Sequence, residues 1–274
     1  MLKTTIPVLI TIFSCLHLPA QQNPAERPGQ SYLLKTNWDQ YGLYTKYTPN
    51  NEVLGCWSTA MAQILYHHRL RPSGFVNYQC SKGFVITDTL EKHSLSWTDF
   101  SASLDATSPP RVIETVARYS MLTAEAVRKD FGSPRYLQMV NPAGQIEKYF
   151  PCKAIFYASF TGDIPLSPAQ VEEIAKKENI QYLIGRDSVQ LIIKQEINNS
   201  RPVYFHFGNF TTYGHSTVID GYHEEGNIFW VHINYGSGGK RTGWYQLFQP
   251  IDVVDDIKLR VFVTISPLQT KTPK

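Results

Sequence analysis

The chain is expected to be an α+β protein, with helices in its first part and an antiparallel sheet in its last. Three observations carry that expectation. Within residues 55–68, Trp57, Ala60, Met61, Ile64 and Leu65 fall at i, i+3, i+4, i+7 and i+8, the spacing of one helical face. After Arg201-Pro202 the chain changes character, and residues 203–207, 216–219, 228–233, 243–248 and 258–265 read as strands. Gly, Asn and Glu punctuate them at the spacing of an antiparallel meander, and helices segregated from strands make an α+β layout.

At 274 residues the chain can bury the core of one large domain or two small ones. A hydrophobic share of 42% with 18% charged residues places it among globular rather than disordered chains. A net charge of +3, with no Lys/Arg cluster beyond isolated pairs, argues against nucleic acid as a partner. Sixteen Tyr and five Trp point to a β-rich core with grooves rather than a base-stacking platform.

Residues 1–20 read as a secretory signal peptide. Lys3 supplies the positive end, 6–18 are apolar, and Leu18-Pro19-Ala20 offers a small-residue cleavage site before Gln21. The apolar run is too short for a membrane span, and no other stretch is long enough. The expected location is therefore secreted or periplasmic. A lipid anchor on Cys15 ranks second, because Phe13 fits a lipidation pattern poorly. Export leaves Cys56, Cys80 and Cys152, an odd number, so one thiol stays unpaired. Cys56 is the natural candidate. Cys80 and Cys152 are then either a disulfide or two separate buried thiols.

In chain order, residues 21–36 form a short flexible lead-in, polar and Pro-rich at its start. Asn37-Trp38-Asp39-Gln40-Tyr41-Gly42 is aromatic and turn-rich, and leads to the Cys56 helix. That helix meets Pro72 and Gly74 beyond its end and should stop near Arg69. From 74 to 101 the pattern is short β or irregular, anchored by Phe84-Val85-Ile86 and Leu95-Ser96-Trp97. Pro109-Pro110 open a second helix whose inward face is Val112, Ile113, Val116, Ala117 and Ser120, and a third covers 145–150. A fourth starts at Ser167-Pro168, with a Ser cap and Pro at the first helical position. A fifth spans 187–198 with Val189, Ile192, Ile193 and Ile197 inward. No internal repeat is present.

Cys56 falls at the N-terminus of its helix, where unpaired N–H groups and the macrodipole favour negative charge. That setting lowers a thiol pKa and makes the thiolate available as a nucleophile near neutral pH. The same residue in a core helix could equally be a small buried hydrophobe. His215 stands out among eight histidines. Behind Gly214, at the start of the strand Ser216-Thr217-Val218-Ile219, its imidazole is presented where a helix-borne thiolate can meet it. His67, His68 and Arg69 instead suit a helix C-terminus. Asn234, before Tyr235-Gly236-Ser237-Gly238-Gly239, can orient the His215 ring as in a Cys-His-Asn triad, or can be a turn Asn before a Gly-rich loop. Gln40 can join the Cys56 backbone N–H in an oxyanion hole.

Gly55-Cys56 followed by Thr59-Ala60-Met61-Ala62-Gln63-Ile64 resembles the nucleophile helix of the streptopain-like cysteine peptidases, family C10 of the papain clan. Gly214-His215 with Val218-Ile219-Asp220-Gly221 resembles their histidine strand. Val231-His232-Ile233-Asn234 with Gly236 and Gly238-Gly239 resembles their glycine loop, and Trp38-Asp39-Gln40 the segment bearing their oxyanion glutamine. The likeness runs in order from about Asn37 to Pro267, loosely between 75 and 200. It implies a papain-like α+β catalytic domain over 37–268, the nucleophile helix packed against the C-terminal antiparallel sheet, followed by a tail at 269–274. It further implies Cys56 as nucleophile, His215 as general base and then acid, Asn234 orienting the ring, and Gln40 completing the oxyanion hole. Gly214 would line the substrate cleft through its backbone, with Tyr235 on the substrate side.

Three departures stand against the family pattern. Tyr235 replaces the usual Trp after the Asn, a smaller shield over a His–Asn hydrogen bond, and Ser237 stands where a second Trp is common. Only residues 21–36 separate signal peptide and catalytic segment, so no built-in inhibitor is expected and a separate protein inhibitor becomes a candidate partner. The stretch 130–134, where the family shapes its substrate pocket, is different. The function these residues imply is a secreted cysteine endopeptidase. It would act on protein or peptide substrates through an acyl-enzyme, with no metal or organic cofactor. Two rival readings are a non-catalytic peptide- or inhibitor-binding protein on the same scaffold and an amidase using the same chemistry.

Overall fold

The computed structural model describes residues 31–137, 142–159, 167–177, 182–208, 214–252, 255 and 259–268. The expected signal peptide, Cys15, the first part of the lead-in and the tail at 269–274 lie outside the described residues.

Helix α1 (Cys56–His67) is buried at every position from Trp57 to Leu65, more than its single apolar face predicts. The intervening residues are small, or polar with a partner. The Thr59 hydroxyl donates to the Gly55 carbonyl at 3.1 Å, and Gln63 is fully paired as described below. A helix so satisfied can be buried all round. It stops where expected: Arg69, at φ 52°, donates its N–H to the Tyr66 carbonyl, and Leu70 donates to Leu65, a Schellman closure.

An antiparallel hairpin follows, β1 (Phe75–Gln79) with β2 (Val85–Thr89). Then come α2 (Pro110–Ala126) and α3 (Pro142–Tyr149), and strand β3 (Cys152–Ser159). Helix α4 (Pro168–Lys177) opens with a reciprocal capping box. The Ser167 N–H donates to the Gln170 side-chain oxygen at 2.9 Å, and the Gln170 N–H to the Ser167 hydroxyl at 3.4 Å. A short β4 (Tyr182–Leu183) and α5 (Arg186–Asn198) precede the last five strands. These are β5 (Val203–Gly208), β6 (Gly214–Glu225), β7 (Ile228–Asn234), β8 (Gly243–Gln246) and β9 (Arg260–Pro267).

Seven strands form one sheet in the order β4-β3-β9-β5-β6-β7-β8, antiparallel except for the parallel β3–β4 pair. The C-terminal meander is present as expected, but the sheet is not wholly C-terminal. β3 comes from the helical half and pairs along its whole length with β9. Its inward positions are Cys152, Ala154, Phe156 and Ala158. Two of the four are Ala, so the alternation that marks a strand is faint in sequence.

Strand β5 is buried at every position and divides the core by its period of two. Tyr204 faces a cluster containing Trp57, Met61 and Ile64 of α1. Val203, Phe205 and Phe207 face the other side with Val189 and Ile193 of α5. The sheet is thus covered by α1 and α2 on one face and by α5 on the other.

One expectation needs correction, and one open alternative is decided. Residues 31–36 were placed in a flexible lead-in, yet the Leu33 N–H donates to the Asp220 carbonyl at 2.8 Å and the Leu34 N–H to its carboxylate at 3.1 Å. The buried Asp220 also holds His232 Nδ1 at 2.6 Å, and the Tyr32 ring stacks on that imidazole at 4.0 Å. A buried carboxylate needs such partners, and the lead-in supplies them. Cys80 and Cys152, in turn, are not bridged: both are free, buried thiols. Burial pushes the Cys152 thiol up to about 12, the mark of an inert structural cysteine.

Glu125 of α2 offers a stability test. Burial, then the charge and hydrogen bond of Asp88, push its carboxyl up to about 8 from 4.5. Between those values the folded chain keeps a proton that the unfolded chain releases, so this group's contribution falls as pH rises through the window. Glu125→Gln should raise the melting temperature over the parent at pH 8 and leave it nearly unchanged at pH 4, measured by scanning calorimetry. An equal effect at both values would remove Glu125 as the cause.

Candidate active site

Cys56 is the first residue of α1, and the backbone there is special. Gly55 stands at φ 85°, and a Cβ on it would lie 2.4 Å from the Tyr136 hydroxyl, so only glycine fits. The same hydroxyl accepts the Ser58 N–H at 3.0 Å and donates to the Leu54 carbonyl at 3.3 Å. One orphan donor of the first helical turn is satisfied this way, while helix geometry leaves the Cys56 N–H without an intrahelical acceptor. Beneath Tyr136 lies the buried Lys129. Its ammonium donates to the carbonyls of Asp130, Ser133 and Arg135 and sits 5.1 Å from the Tyr136 ring centre. The divergent stretch 130–134 is therefore folded around a lysine, and it delivers Tyr136 to the start of α1. Nothing in the sequence pattern singled out either residue.

His215, second residue of β6, meets Cys56. Burial alone would raise the thiol, but the hydrogen bond and charge of His215, with hydrogen bonds from Ser216, outweigh it and bring the thiol down to about 7. Burial also disfavours the imidazolium. The hydrogen bond and charge of Cys56, the Tyr235 carbonyl and the Asp252 charge overcome that and raise His215 above its ordinary value. Each member thus stabilises the charged form of the other. His215 Nε2 donates to the Tyr235 carbonyl at 3.1 Å. A carbonyl can only accept, which makes Nε2 the protonated nitrogen and leaves Nδ1 to face the sulfur.

That ring bond was expected from Asn234, and the geometry places it elsewhere. Asn234 Nδ2 donates to the Thr36 carbonyl at 2.6 Å, while its Oδ1 accepts the Gly236 N–H and Gln63 Nε2, both at 3.1 Å. Backbone groups on both sides fix which end is oxygen. Gln63 Oε1 in turn accepts the Thr36 hydroxyl at 2.8 Å and the Trp38 N–H at 3.3 Å. The amide oxygen already accepts two hydrogen bonds, which fills both of its lone pairs without His215. It holds the backbone on either side of Tyr235, whose carbonyl orients the ring.

Gln40 lies close by. Its Nε2 donates to the Gly236 carbonyl at 3.4 Å, and its backbone carbonyl accepts the Leu54 N–H at 3.1 Å, two residues before Cys56. Trp38, anchored through Nε1 to the Ser101 carbonyl at 2.9 Å and stacked near Tyr66 and Phe100, fixes the start of this segment. The Gly238 N–H donates to the Trp38 carbonyl at 3.2 Å, tying the glycine loop to the same strand of chain.

Tyr235 was expected on the substrate side, but it is only 3% exposed. Its ring stacks on His215 with centroids 4.4 Å apart, its hydroxyl donates to Asp252, and the Arg241 guanidinium lies over it at 4.5 Å while pairing with Asp252 at 2.7 Å. The ring is held from three sides and shields the imidazole rather than offering a surface. Gly214, the first residue of β6, is exposed and pairs with Gly208. Among the described residues no group of three or more His, Cys, Asp or Glu is placed to hold a metal ion.

A thiol at the head of a buried helix, met by an imidazole from a sheet strand, on an α+β papain-like fold, defines the class: this is the architecture of papain-like cysteine peptidases. A model of the peptidase C10 family matches residues 38–245, and the chain belongs to that family, which makes it a cysteine-type peptidase. Two solved structures from Prevotella intermedia are similar in fold. A prointerpain A fragment with its cysteine mutated to alanine shares 20% identity, with a TM-score of 0.64 over 85% of this chain and 71% of that one. Active wild-type interpain A cysteine protease shares 20% identity, with a TM-score of 0.62 over 85% of this chain and 93% of that one. A search of curated proteins found no match.

Proposed function

We propose that the protein is a secreted cysteine endopeptidase working through a Cys56–His215 thiolate–imidazolium pair. The observation that carries this reading is the pair itself, with the thiol brought to about 7 by His215 and Ser216 against the opposing effect of desolvation. The thiolate attacks the scissile carbonyl, and the developing oxyanion is met by the Cys56 N–H and the Gln40 amide. His215 gives its proton to the leaving amine, then takes one from the water that hydrolyses the acyl-enzyme. Gly214 offers its backbone to the substrate from the rim of the strand. Export is supported by the pattern of residues 1–20. The test is hydrolysis of a fluorogenic peptide library, including internally quenched substrates, by the purified chain and by Cys56→Ala. Cleavage within internally quenched peptides that vanishes in the variant supports the reading. No cleavage, with iodoacetamide labelling Cys56 no faster than Cys80, sinks it.

A further inference from the structure

A chain of three hydrogen bonds brackets the backbone around Cys56, and one tyrosine hydroxyl makes two of them. The Gln40 carbonyl accepts the Leu54 N–H at 3.1 Å. The Leu54 carbonyl accepts the Tyr136 hydroxyl at 3.3 Å, and the Tyr136 oxygen accepts the Ser58 N–H at 3.0 Å. Between those two anchors lie only Gly55, Cys56 and Trp57. Gly55 stands at φ 85° and ψ 155°, a conformation essentially restricted to glycine. Glycine also has the widest choice of backbone states, so a hinge of this kind needs support from outside the helix. We propose that Tyr136 is a positioning residue for the oxyanion hole: by bridging Leu54 and Ser58 it sets the direction of the Cys56 N–H relative to the Gln40 segment.

The donors and acceptors close without conflict. A phenol has one proton, and it goes to the Leu54 carbonyl, which can only accept; the phenol oxygen then receives the Ser58 N–H. The Ser58 hydroxyl, 3.2 Å away, is a second donor to that oxygen. Burial holds the Tyr136 phenol protonated far above its ordinary range, so the bridge persists at neutral pH. The ring is fixed as well, edge-on to Trp57 with centroids 4.9 Å apart and with the Lys129 ammonium 5.1 Å from its centre. The loop that carries it is braced against the rest of the fold. The Leu137 N–H donates to the Arg128 carbonyl at 3.0 Å and the Asp130 N–H to the Arg135 carbonyl at 3.2 Å. The Asp130 carboxylate in turn accepts the N–H and the hydroxyl of Ser81, both at 2.7 Å, from the turn between β1 and β2. The bridge itself runs to the backbone on either side of Cys56, which separates this role from that of His215. Tyr136 matters where negative charge develops on a substrate oxygen, not where the sulfur reacts without forming one.

This inference rests on the peptidase reading above, and the experiment separates the two. Tyr136→Phe deletes one oxygen and keeps the ring. In the full chain it should lower kcat for an internally quenched peptide about 10- to 100-fold, the cost of a misplacement of about 1 Å, and leave KM within about twofold. A peptide aldehyde, whose adduct with the sulfur puts an oxygen where the oxyanion forms, should bind more weakly by a similar factor. Alkylation of Cys56 by iodoacetamide creates no oxyanion, so it should keep both its rate and its midpoint near 7. An unchanged kcat overturns the proposal. A fall in alkylation as large as the fall in kcat also overturns it, since the tyrosine would then be a general support of the helix. A parent that neither cleaves peptides nor labels at Cys56 faster than at Cys80 overturns the reading beneath. If Tyr136→Phe does not fold, the parent decides by NMR. The Ser58 amide proton must keep its nuclear Overhauser contact with the Tyr136 ring protons in the aldehyde adduct, and loss of that contact overturns the proposal.

Discussion

His215→Ala should lower kcat/KM for a peptide substrate by on the order of 10³-fold or more, because in the proposed mechanism one side chain both stabilises the thiolate and protonates the leaving amine. The pH dependence gives the sharper signature. Without the imidazolium, burial dominates the thiol, so its pKa must move up from about 7 into or above the ordinary thiol range. Residual alkylation of Cys56 in the variant should therefore be slow at pH 7 and recover only in alkali. If the variant were still fast at pH 7, the helix terminus alone would be activating the thiol, and the histidine would have lost its role.

The second large effect is expected at a residue that touches neither the sulfur nor the imidazole. Gln63→Ala removes the link between α1, the segment at Thr36–Trp38 and Asn234, leaving a hydroxyl and an amide N–H without their acceptor and Asn234 without one donor. The stability cost should be about 2–4 kcal/mol, typical of buried polar groups left unpaired. Activity should fall as well, in kcat more than in KM, because the Tyr235 carbonyl that orients His215 loses its support. Asn234→Ala should behave in the same way and to a similar degree, since both act through one backbone segment. Circular dichroism melts establish the folded fraction, and rates are compared below the transition. If Asn234→Ala instead cost far more kcat than Gln63→Ala at equal folded fraction, the amide would be acting on the histidine directly.

This pair of residues also shows how far the sequence could be read. Asn234 was legible as a functional position because it stands between a strand and a Gly-rich loop, yet its task was misassigned. A side-chain amide has three or four hydrogen-bonding sites, and sequence says nothing about which neighbours fill them. Gln63 lay inside the recognised motif and was read only as part of a helix. Its signal was available, since a Gln among Ala62, Ile64 and Leu65 in a buried helix must find partners, but those partners come from 27 and 171 positions away. Tyr235 was legible as an aromatic shield, though it was also placed on the substrate side, where its burial rules it out. Its anchor, Asp252, was not, because the stretch around it carries no motif.

What the sequence determined by itself was local or periodic: a cysteine at a helix start, the meander from Val203 onward, the serine cap at Ser167, the glycine that precedes Cys56. Each depends on residues a few positions apart, and backbone geometry translates that spacing directly into structure. Tertiary structure alone decided that β3 joins the sheet, that Leu33 and Leu34 are held by Asp220, that Lys129 organises the divergent loop, and that the Tyr235 carbonyl orients His215. Those outcomes turn on which buried polar groups find one another across the core. Pairing of that kind depends on distance in space, which the order of residues along the chain does not encode locally.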